Sequence, residues 1–309
     1  MIIAFLFILF QTYSAFTLRS ISWSPKNHLV WKWKQHDIHY IRETPANPST
    51  SVEKPAILLV HGFGSSSYHW RCNILRLAEH YDVYAIDLVG FGKSSKPLEN
   101  YRSSLWTNQT QDFIENVIGK STIVIGNSLG GSIALQSSPH ELVDGVILIN
   151  SYVKFKNDPA SFMRLPRFLI PMFTNNYFQY IQHPQKITDT LRNLYPVQPE
   201  RVDDQLVESI LQPSYDPNAP QVLGNIIENI MYDDDSECVD MEQIIRTFNK
   251  PMLLIWGTQD AWISKEVAEK IVQLHPSAKK KFVCAGHCPQ DEIPETINEL
   301  ILQFLLSEC

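Results

Sequence analysis

Five short, uninterrupted apolar runs constrain the fold of this 309-residue chain more than any other feature. They are Ala56–Val60, Val83–Ile86, Thr122–Ile125, Val146–Ile149 and Met252–Trp256. A strand that is exposed on one face alternates apolar and polar side chains, so unbroken runs predict strands covered on both faces. Helix-compatible segments separate most of the runs, for example residues 70–81 and 106–118. The pattern predicts an α/β fold with a doubly wound, mostly parallel sheet.

Two other segments depart from this pattern. Residues 28–34 and 36–43 alternate apolar and polar side chains, which predicts an antiparallel hairpin ahead of the sheet. Residues 152–249 lack strong apolar strand runs and contain many aromatic and several proline residues, so we interpret them as an inserted helical lid. The predicted organisation is a presequence (1–24), a first core segment (25–151), the lid (152–249) and a second core segment (250–309).

Composition argues against several classes of protein. The net charge is −7 and 19% of the residues are charged, whereas binding to nucleic acid needs clustered lysine and arginine. The five cysteines are odd in number and scattered, so they form a poor disulfide framework. Cys284 and Cys288 flank His287 without the paired spacing of a structural zinc site. We therefore expect no metal, no cofactor and no nucleic-acid partner.

The amino terminus has its own signal. Residues 2–10 are an unbroken apolar run, which is too short to cross a bilayer and is typical of the core of a signal peptide. Ala15 is a small residue suited to the position before cleavage. A short buried strand or an interfacial anchor remains an alternative interpretation of the run.

The segment Gly126-Asn127-Ser128-Leu129-Gly130 matches the pattern Gly-x-Ser-x-Gly. It follows a predicted strand and precedes a helical stretch, which is the context of a nucleophile elbow. Small residues flank the serine because this strand-to-helix turn is sharp. We predict Ser128 as the nucleophile, with a glycine-rich turn of no catalytic role as the alternative.

A glycine-containing loop follows the first apolar run, in the segment His61-Gly62-Phe63-Gly64. Acyl transfer passes through an oxyanion that needs N–H donors arranged in advance. The residue after the nucleophile supplies one donor and this loop supplies the other. We predict that the backbone N–H groups of Leu129 and Phe63 form the oxyanion hole, and that His61 shapes the loop.

A serine hydroxyl needs a base to take its proton at neutral pH. His287 lies just after the last apolar strand candidate, around residues 282–284, so we predict it as the base. Asp260 directly follows the apolar run that ends at residue 256, so we predict it as the acid that orients the imidazole. An acid placed one strand earlier is excluded, because Asn150 stands there and cannot hold a negative charge. Asp291 and Glu292 are rival carboxylates that we interpret as the start of a helix.

These motifs together resemble the α/β-hydrolase superfamily. The resemblance covers residue 55 to the carboxyl end except most of the lid, and its motifs are His61-Gly-Phe-Gly64, Asp87-Leu-Val-Gly-Phe-Gly-Lys-Ser94, Gly126-Asn-Ser-Leu-Gly-Gly131, Gly257-Thr-Gln-Asp260 and Gly286-His287. It implies the α/β-hydrolase fold and a Ser–Asp–His triad. The serine at the elbow separates the chain from the dehalogenase and epoxide hydrolase branches, which carry aspartate there.

Within the superfamily, the chain is similar to plastid pheophytinase and chlorophyll dephytylase enzymes. The supporting stretches are residues 105–113, 126–131 and 212–220. This resemblance implies cleavage of the phytyl ester of a chlorophyll pigment. Ser14-Ala15-Phe16 also resembles the bipartite signal and transit leaders of algae with complex plastids. We expect a plastid location, with secretion or an endomembrane lumen as the alternative.

The lid composition suggests what enters the site. Flat rings and adaptable thioethers suit a lipophilic chain, so we predict pocket positions at Phe162, Met163, Phe168, Met172 and Phe173. We expect a lipophilic small-molecule ester as substrate, and peripheral contact with a membrane is compatible with it. A carbon–carbon bond hydrolase with the same triad, or a small-molecule receptor of this fold without turnover, remains open. The sequence leaves the oligomeric state undetermined.

Overall fold

The computed structural model describes residues 27–47, 54–155, 170, 174, 176, 178–179, 182–232 and 239–308. These residues contain an eight-stranded sheet formed by β1 (His28–Trp33), β2 (His36–Glu43), β3 (Ala56–Val60), β4 (Val83–Ile86), β5 (Thr122–Asn127), β6 (Val143–Ile149), β7 (Met252–Gly257) and β8 (Lys279–Val283). The strand order is β1-β2-β4-β3-β5-β6-β7-β8. The five apolar runs are all strands, and the predicted doubly wound sheet is confirmed.

The strand directions bring the functional segments to one edge of the sheet. β1 and β2 form the predicted antiparallel hairpin, and β2 also runs antiparallel to β4. All pairs from β4 through β3, β5, β6 and β7 to β8 are parallel. The loops that follow β3, β5, β6 and β7 therefore leave the same edge, where ligands bind in open parallel sheets.

The sheet separates two apolar cores because successive side chains of a strand point to opposite faces. On β3, Leu58 and Val60 join the core that contains Trp106 and Phe113. Ile57 and Leu59 of the same strand join the second core. Every residue of β3 is buried, as expected for a strand between two helical layers.

The helices on the described residues are α1 (Ile74–Leu77), α2 (Ser103–Phe113), α3 (Leu129–Ser137), α4 (Pro184–Leu194), α5 (Asp204–Ser214), α6 (Ala219–Tyr232), α7 (Met241–Thr247), α8 (Glu266–Leu274), α9 (Pro289–Glu292) and α10 (Pro294–Glu308). No helix within these described ranges has the length and apolar character needed to cross a membrane.

The predicted helix over residues 70–81 is wrong in its extent. The chain forms a short 3₁₀ turn at Ser67–Trp70 and the single turn α1. The helix is interrupted where Arg71 and Asn73 turn inward, because these side chains bond Asp291 and Asn298 in the interior. The helix predicted over residues 106–118 begins three residues earlier, as α2, and continues as a π turn that ends at Gly119.

The described part of the predicted lid is helical. α4, α5, α6 and α7 all lie between β6 and β7 in the chain. On α4 the buried side chains are Ile187, Leu191 and Leu194, which is the spacing of one helix face. The predicted lid boundaries stay a prediction. The predicted pocket residues Phe162, Met163, Phe168, Met172 and Phe173, and the presequence, lie outside the described residues.

Candidate active site

Ser128 occupies a strained position between β5 and α3. Its backbone has φ 55° and ψ −118°, which side-chain-bearing residues rarely adopt and which typically costs about 1–3 kcal/mol. Four main-chain hydrogen bonds hold it there. Ser128 N–H donates to Ile149 O at 3.1 Å, and Ser128 O accepts from the N–H groups of Gly131, Ser132 and Tyr152 at 3.1, 3.3 and 3.0 Å. The turn is the predicted elbow.

The glycines around Ser128 are required by close approach of other atoms. A Cβ on Gly126 would overlap the backbone of Gly130, and a Cβ on Gly131 would overlap the Ser151 hydroxyl. The loop after β3 also passes directly against the elbow, because a Cβ on Gly62 would lie 3.2 Å from Ser128 Cβ. The sequence pattern around Ser128 therefore has a steric cause.

Asp260 and His287 form a buried pair in the loops after β7 and β8. His287 Nδ1 lies 2.8 Å from Asp260 Oδ2. Asp260 Oδ1 accepts from the Trp262 and Ile263 N–H groups at 2.7 and 3.1 Å. Burial raises the pKa of Asp260, but hydrogen bonds from His287, Trp262 and Asn150 outweigh it and the net shift is downward. The ionised carboxylate accepts the Nδ1 proton, which leaves Nε2 as the acceptor of a neutral imidazole.

Asn150 supports the acid, a role that the sequence argument missed. Its Nδ2 donates to Asp260 Oδ2 at 2.6 Å, and its Oδ1 accepts from Gly257 N–H at 2.9 Å. Like Ser128, it has a positive φ, of 41°. Its position at the end of β6, beside β7, was a signal that could have indicated this contact.

The main chain of His287 is also held from two sides. Asn127 Nδ2 donates to His287 O at 3.0 Å and to Ile149 O at 3.1 Å, so the residue before the nucleophile binds the loop of the base. His287 N–H donates to Leu194 O at 3.0 Å, and the Trp262 ring packs 5.0 Å from the imidazole. These contacts fix the ring with little freedom.

His61 has a structural environment. Nδ1 bonds Gly62 O at 2.7 Å, and Nε2 accepts from Leu88 N–H at 3.0 Å. Burial lowers the pKa of His61, which favours the neutral ring that these two bonds require. The imidazole therefore fixes the loop after β3 rather than serving as a base.

The predicted oxyanion donors lie on either side of the elbow. Leu129 is the first residue of α3, and N–H groups in the first turn of a helix have no acceptor within that helix. Phe63 lines the same cavity as Ser128. The assignment of these two N–H groups to an oxyanion hole stays a prediction.

The rival carboxylates have other partners. Asp291 is fully buried and accepts from Arg71 Nε at 2.8 Å and Arg71 Nη2 at 3.0 Å. Glu292 is fully buried and accepts from backbone N–H groups. The one-turn helix α9 does begin here, as predicted, but both carboxylates point inward. Sequence reasoning missed these contacts, because Arg71 lies 220 residues from Asp291.

A cavity joins Ser128 and His287 to the lid. The aliphatic part of its wall comes from the three helices α4, α5 and α6, and the aromatic rings of Phe63, Phe91, Phe178 and Trp262 also line it. The aliphatic side chains include Ile187, Leu191, Leu194, Ile210, Val222, Leu223 and Ile226. Its polar members include His69, Lys96 and Thr190. On the residues that the structure describes, no three His, Cys, Asp or Glu side chains are grouped to hold a metal ion.

Comparison with known proteins gives a consistent result. Residues 55–294 match the model of a family described as alpha/beta hydrolase fold. Chloroplastic pheophytinase of Arabidopsis thaliana is 28% identical over 89% of this chain and 65% of its own length, slightly less than two thirds. Epoxide hydrolase 4 of Homo sapiens is 27% identical over 82% of this chain and 73% of its own length.

A solved structure gives the same picture of the fold. The structure of a serine hydrolase involved in carbazole degradation aligns with a TM-score of 0.72 at 22% identity, over 91% of this chain and 99% of that one. At this identity the likeness concerns the path of the chain and not the substrate.

Proposed function

The chain belongs to the alpha/beta hydrolase fold family, and from this premise we propose that it is a serine hydrolase that cleaves a lipophilic carboxylic ester through an acyl-enzyme. Ser128 is the nucleophile, His287 the base and Asp260 the acid. The observation that carries the proposal is the 2.8 Å hydrogen bond between Asp260 and His287, in a cavity that Ser128 also lines.

The proposed reaction has two halves. Ser128 Oγ attacks the ester carbonyl while His287 Nε2 takes the proton of the Ser128 hydroxyl. Asp260 stabilises the imidazolium that forms. The N–H groups of Leu129 and Phe63 bind the oxyanion, and losing one such donor typically costs about 3 kcal/mol of barrier. The imidazolium then protonates the departing alcohol, and the ester C–O bond breaks to leave the acyl-enzyme. Water, deprotonated by His287, hydrolyses that intermediate and restores Ser128.

The cavity wall supports a lipophilic substrate. The described parts of α4, α5 and α6 contribute mostly aliphatic side chains. Each CH₂ of a bound alkyl chain that leaves water contributes about 0.8 kcal/mol before ordering costs. The phytyl ester of a chlorophyll pigment is our specific proposal, supported by the 28% identity with the Arabidopsis pheophytinase.

A second candidate, hydrolysis of a carbon–carbon bond with the same triad, is favoured by one observation. Lys96 is the only Lys or Arg among the described residues that line the cavity, and a cation there suits a substrate carboxylate. Its Nζ, however, already donates to Gly92 O at 2.7 Å and Ser94 O at 3.2 Å. The lysine thus has a structural role in the loop after β4, and the ester remains the better-supported substrate.

The test compares pheophytin a, its dephytylated form and short-chain nitrophenyl esters as substrates of the purified protein. We expect release of free phytol with a kcat/KM well above that for the short esters. Fast hydrolysis of acetyl esters without phytol release would reduce the proposal to a general carboxylesterase. Binding of the substrate without repeated release of product would favour a small-molecule receptor instead.

A further inference from the structure

The loop that carries the base lies directly on the lid. His287 N–H donates to the carbonyl of Leu194, the last residue of α4, at 3.0 Å. Gly286 precedes it, and a Cβ on this glycine would overlap the same Leu194 carbonyl and the Pro196 ring. The position of the imidazole therefore depends on where the end of α4 lies.

Glu292 binds both sides of this contact. Its Oε2 accepts from Gly286 N–H at 2.6 Å, next to the base. Its Oε1 accepts from Val197 N–H at 2.6 Å and Gln198 N–H at 3.1 Å, in the lid segment after α4. The side chain is fully buried. Hydrogen bonds from N–H groups to a carboxylate are stronger than neutral ones, so one side chain joins the base loop to the lid.

Asp291 makes a second connection of the same kind. It accepts from Tyr195 Oη at 2.9 Å and from Arg71, which also donates to both oxygens of Asp203 at 2.7 Å. Asp203 in turn accepts from Leu206 N–H at 2.8 Å and caps the start of α5. A buried guanidinium thus lies between two carboxylates, one on the base loop and one on the lid.

The same lid helix lines the cavity. Ile187, Leu191 and Leu194 of α4 face the space in which a substrate would lie. An occupant of the cavity therefore contacts the helix whose last carbonyl holds the base. A displacement of the base matters, because misplacing a reacting group by 1 Å can cost about 10²-fold in rate.

We infer that Glu292 is a positioning residue that couples the lid to the base, by holding the Gly286–His287 turn against the end of α4. The inference rests on the proposed function, in which His287 takes the proton of Ser128. Glu292 touches neither substrate nor reacting atoms and acts only through the main chain.

The test is Glu292→Gln, which keeps the size of the side chain but replaces one acceptor oxygen with an NH₂ donor. Active sites are counted by titration with a fluorophosphonate, which labels the reactive serine, and kcat is expressed per labelled site. We expect kcat per site to fall by about 10-fold or more, up to the 10²-fold of a 1 Å misplacement, with KM little changed. A purely structural role would lower the number of sites and leave kcat per site at the wild-type value, which would overturn the inference.

Asn298→Leu is the matched control. Asn298 is also buried, in α10, and its side chain bonds Asn73 and the Cys72 carbonyl in the core. The control should lose stability while its kcat per site stays at the wild-type value. An equal fall of kcat per site in the control would overturn the inference, because any weakening of the fold would then suffice.

A second variant keeps the inference testable if the Glu292→Gln protein does not fold. Tyr195→Phe keeps the ring and removes the hydroxyl, which binds Asp291 and also lies 2.7 Å from His69 Nε2, so it weakens the other connection. We expect a smaller fall of kcat per site. If the folded variants all keep the wild-type value, the coupling is refuted. A wild-type protein that neither takes the label nor hydrolyses any ester would instead refute the proposed function.

Discussion

The two walls of the cavity are built in different ways. On the sheet side, main-chain hydrogen bonds and close-approaching glycines hold Ser128, and four donors surround Asp260. On the lid side, aliphatic side chains of α4, α5 and α6 form the wall. From this contrast we expect the sheet side, together with the end of α4 that contacts the base loop, to act on the chemistry of every substrate, and the aliphatic side chains of the lid to act on which substrate is used. Substitutions can test this division.

The largest effect is expected at Ser128. Ser128→Ala removes the nucleophile, so we expect kcat/KM to fall by about 10⁴-fold or more on long and short esters alike. The control is Ser132→Ala, one helical turn further along α3, whose hydroxyl accepts from Gln136 Nε2 at 3.2 Å. It should stay near wild-type activity. Retention of a tenth of the activity by Ser128→Ala would show that another residue is the nucleophile.

The two buried aspartates should differ, because Asp260 acts mainly on catalysis, whereas Asp291 acts mainly on stability and only weakly on kcat, through its contact with Tyr195. Asp260→Asn keeps the shape of the acid but loses the charge that orients His287, so we expect about a 10⁴-fold fall in kcat with normal folding. Asp291→Asn weakens a buried ion pair with Arg71, and breaking such a pair costs about 3–5 kcal/mol of unfolding free energy.

Urea denaturation and steady-state kinetics measure the two effects of the aspartate variants. An Asp260→Asn protein with full activity would remove Asp260 from the triad. An Asp291→Asn protein as stable as the wild type would show that the buried cluster around Arg71 contributes little.

The sheet side was largely predictable from the sequence, and the reasons are physical. Short continuous apolar runs are typical of strands covered on both faces. The Gly-x-Ser-x-Gly pattern reflects positions at which a Cβ atom would overlap neighbouring atoms. Both signals are local. The bonds of Asn150, Arg71 and Glu292 join residues distant in the chain, so no local pattern indicates them. The lid could be predicted only from the absence of strands, and its path depends on packing that the sequence does not encode locally.

The pH dependence of stability tests the charge of Asp260. The pKa of Asp260 is lowered in the folded protein, so this carboxylate adds stability above the unfolded-state value of about 3.9, and that stability is lost only as the pH falls below it. Between pH 5 and 8 the contribution of Asp260 to stability is therefore constant.

Urea denaturation of the wild type and of Asp260→Asn at a series of pH values checks the sign of this effect. The difference in unfolding free energy between the two proteins should stay constant from about pH 8 to 5 and shrink as the pH falls below about 3.9. A difference that already shrinks between about pH 8 and 5 would contradict the lowered pKa of Asp260.

The smallest expected effect lies in the lid and tests selectivity. Ile210 of α5 lines the cavity and is only half-buried, so Ile210→Ala should remove contacts with a bound chain at little cost in folding. Losing about two CH₂ contacts at about 0.8 kcal/mol each corresponds to roughly a tenfold lower kcat/KM for a phytyl ester. We expect a short nitrophenyl ester to make no contact with Ile210, so Ile210→Ala should hydrolyse it at the wild-type rate. Ile244→Ala is the matched control. Ile244 of α7 packs against the core that contains Trp106 and Phe113 and does not line the cavity.

The measured quantity is the ratio of kcat/KM for the long ester to that for the short one. That ratio should fall for Ile210→Ala and not for Ile244→Ala. If Ile210→Ala lowers both rates equally, the aliphatic side chains that line the cavity act on the chemistry as well, and the division between the two walls fails.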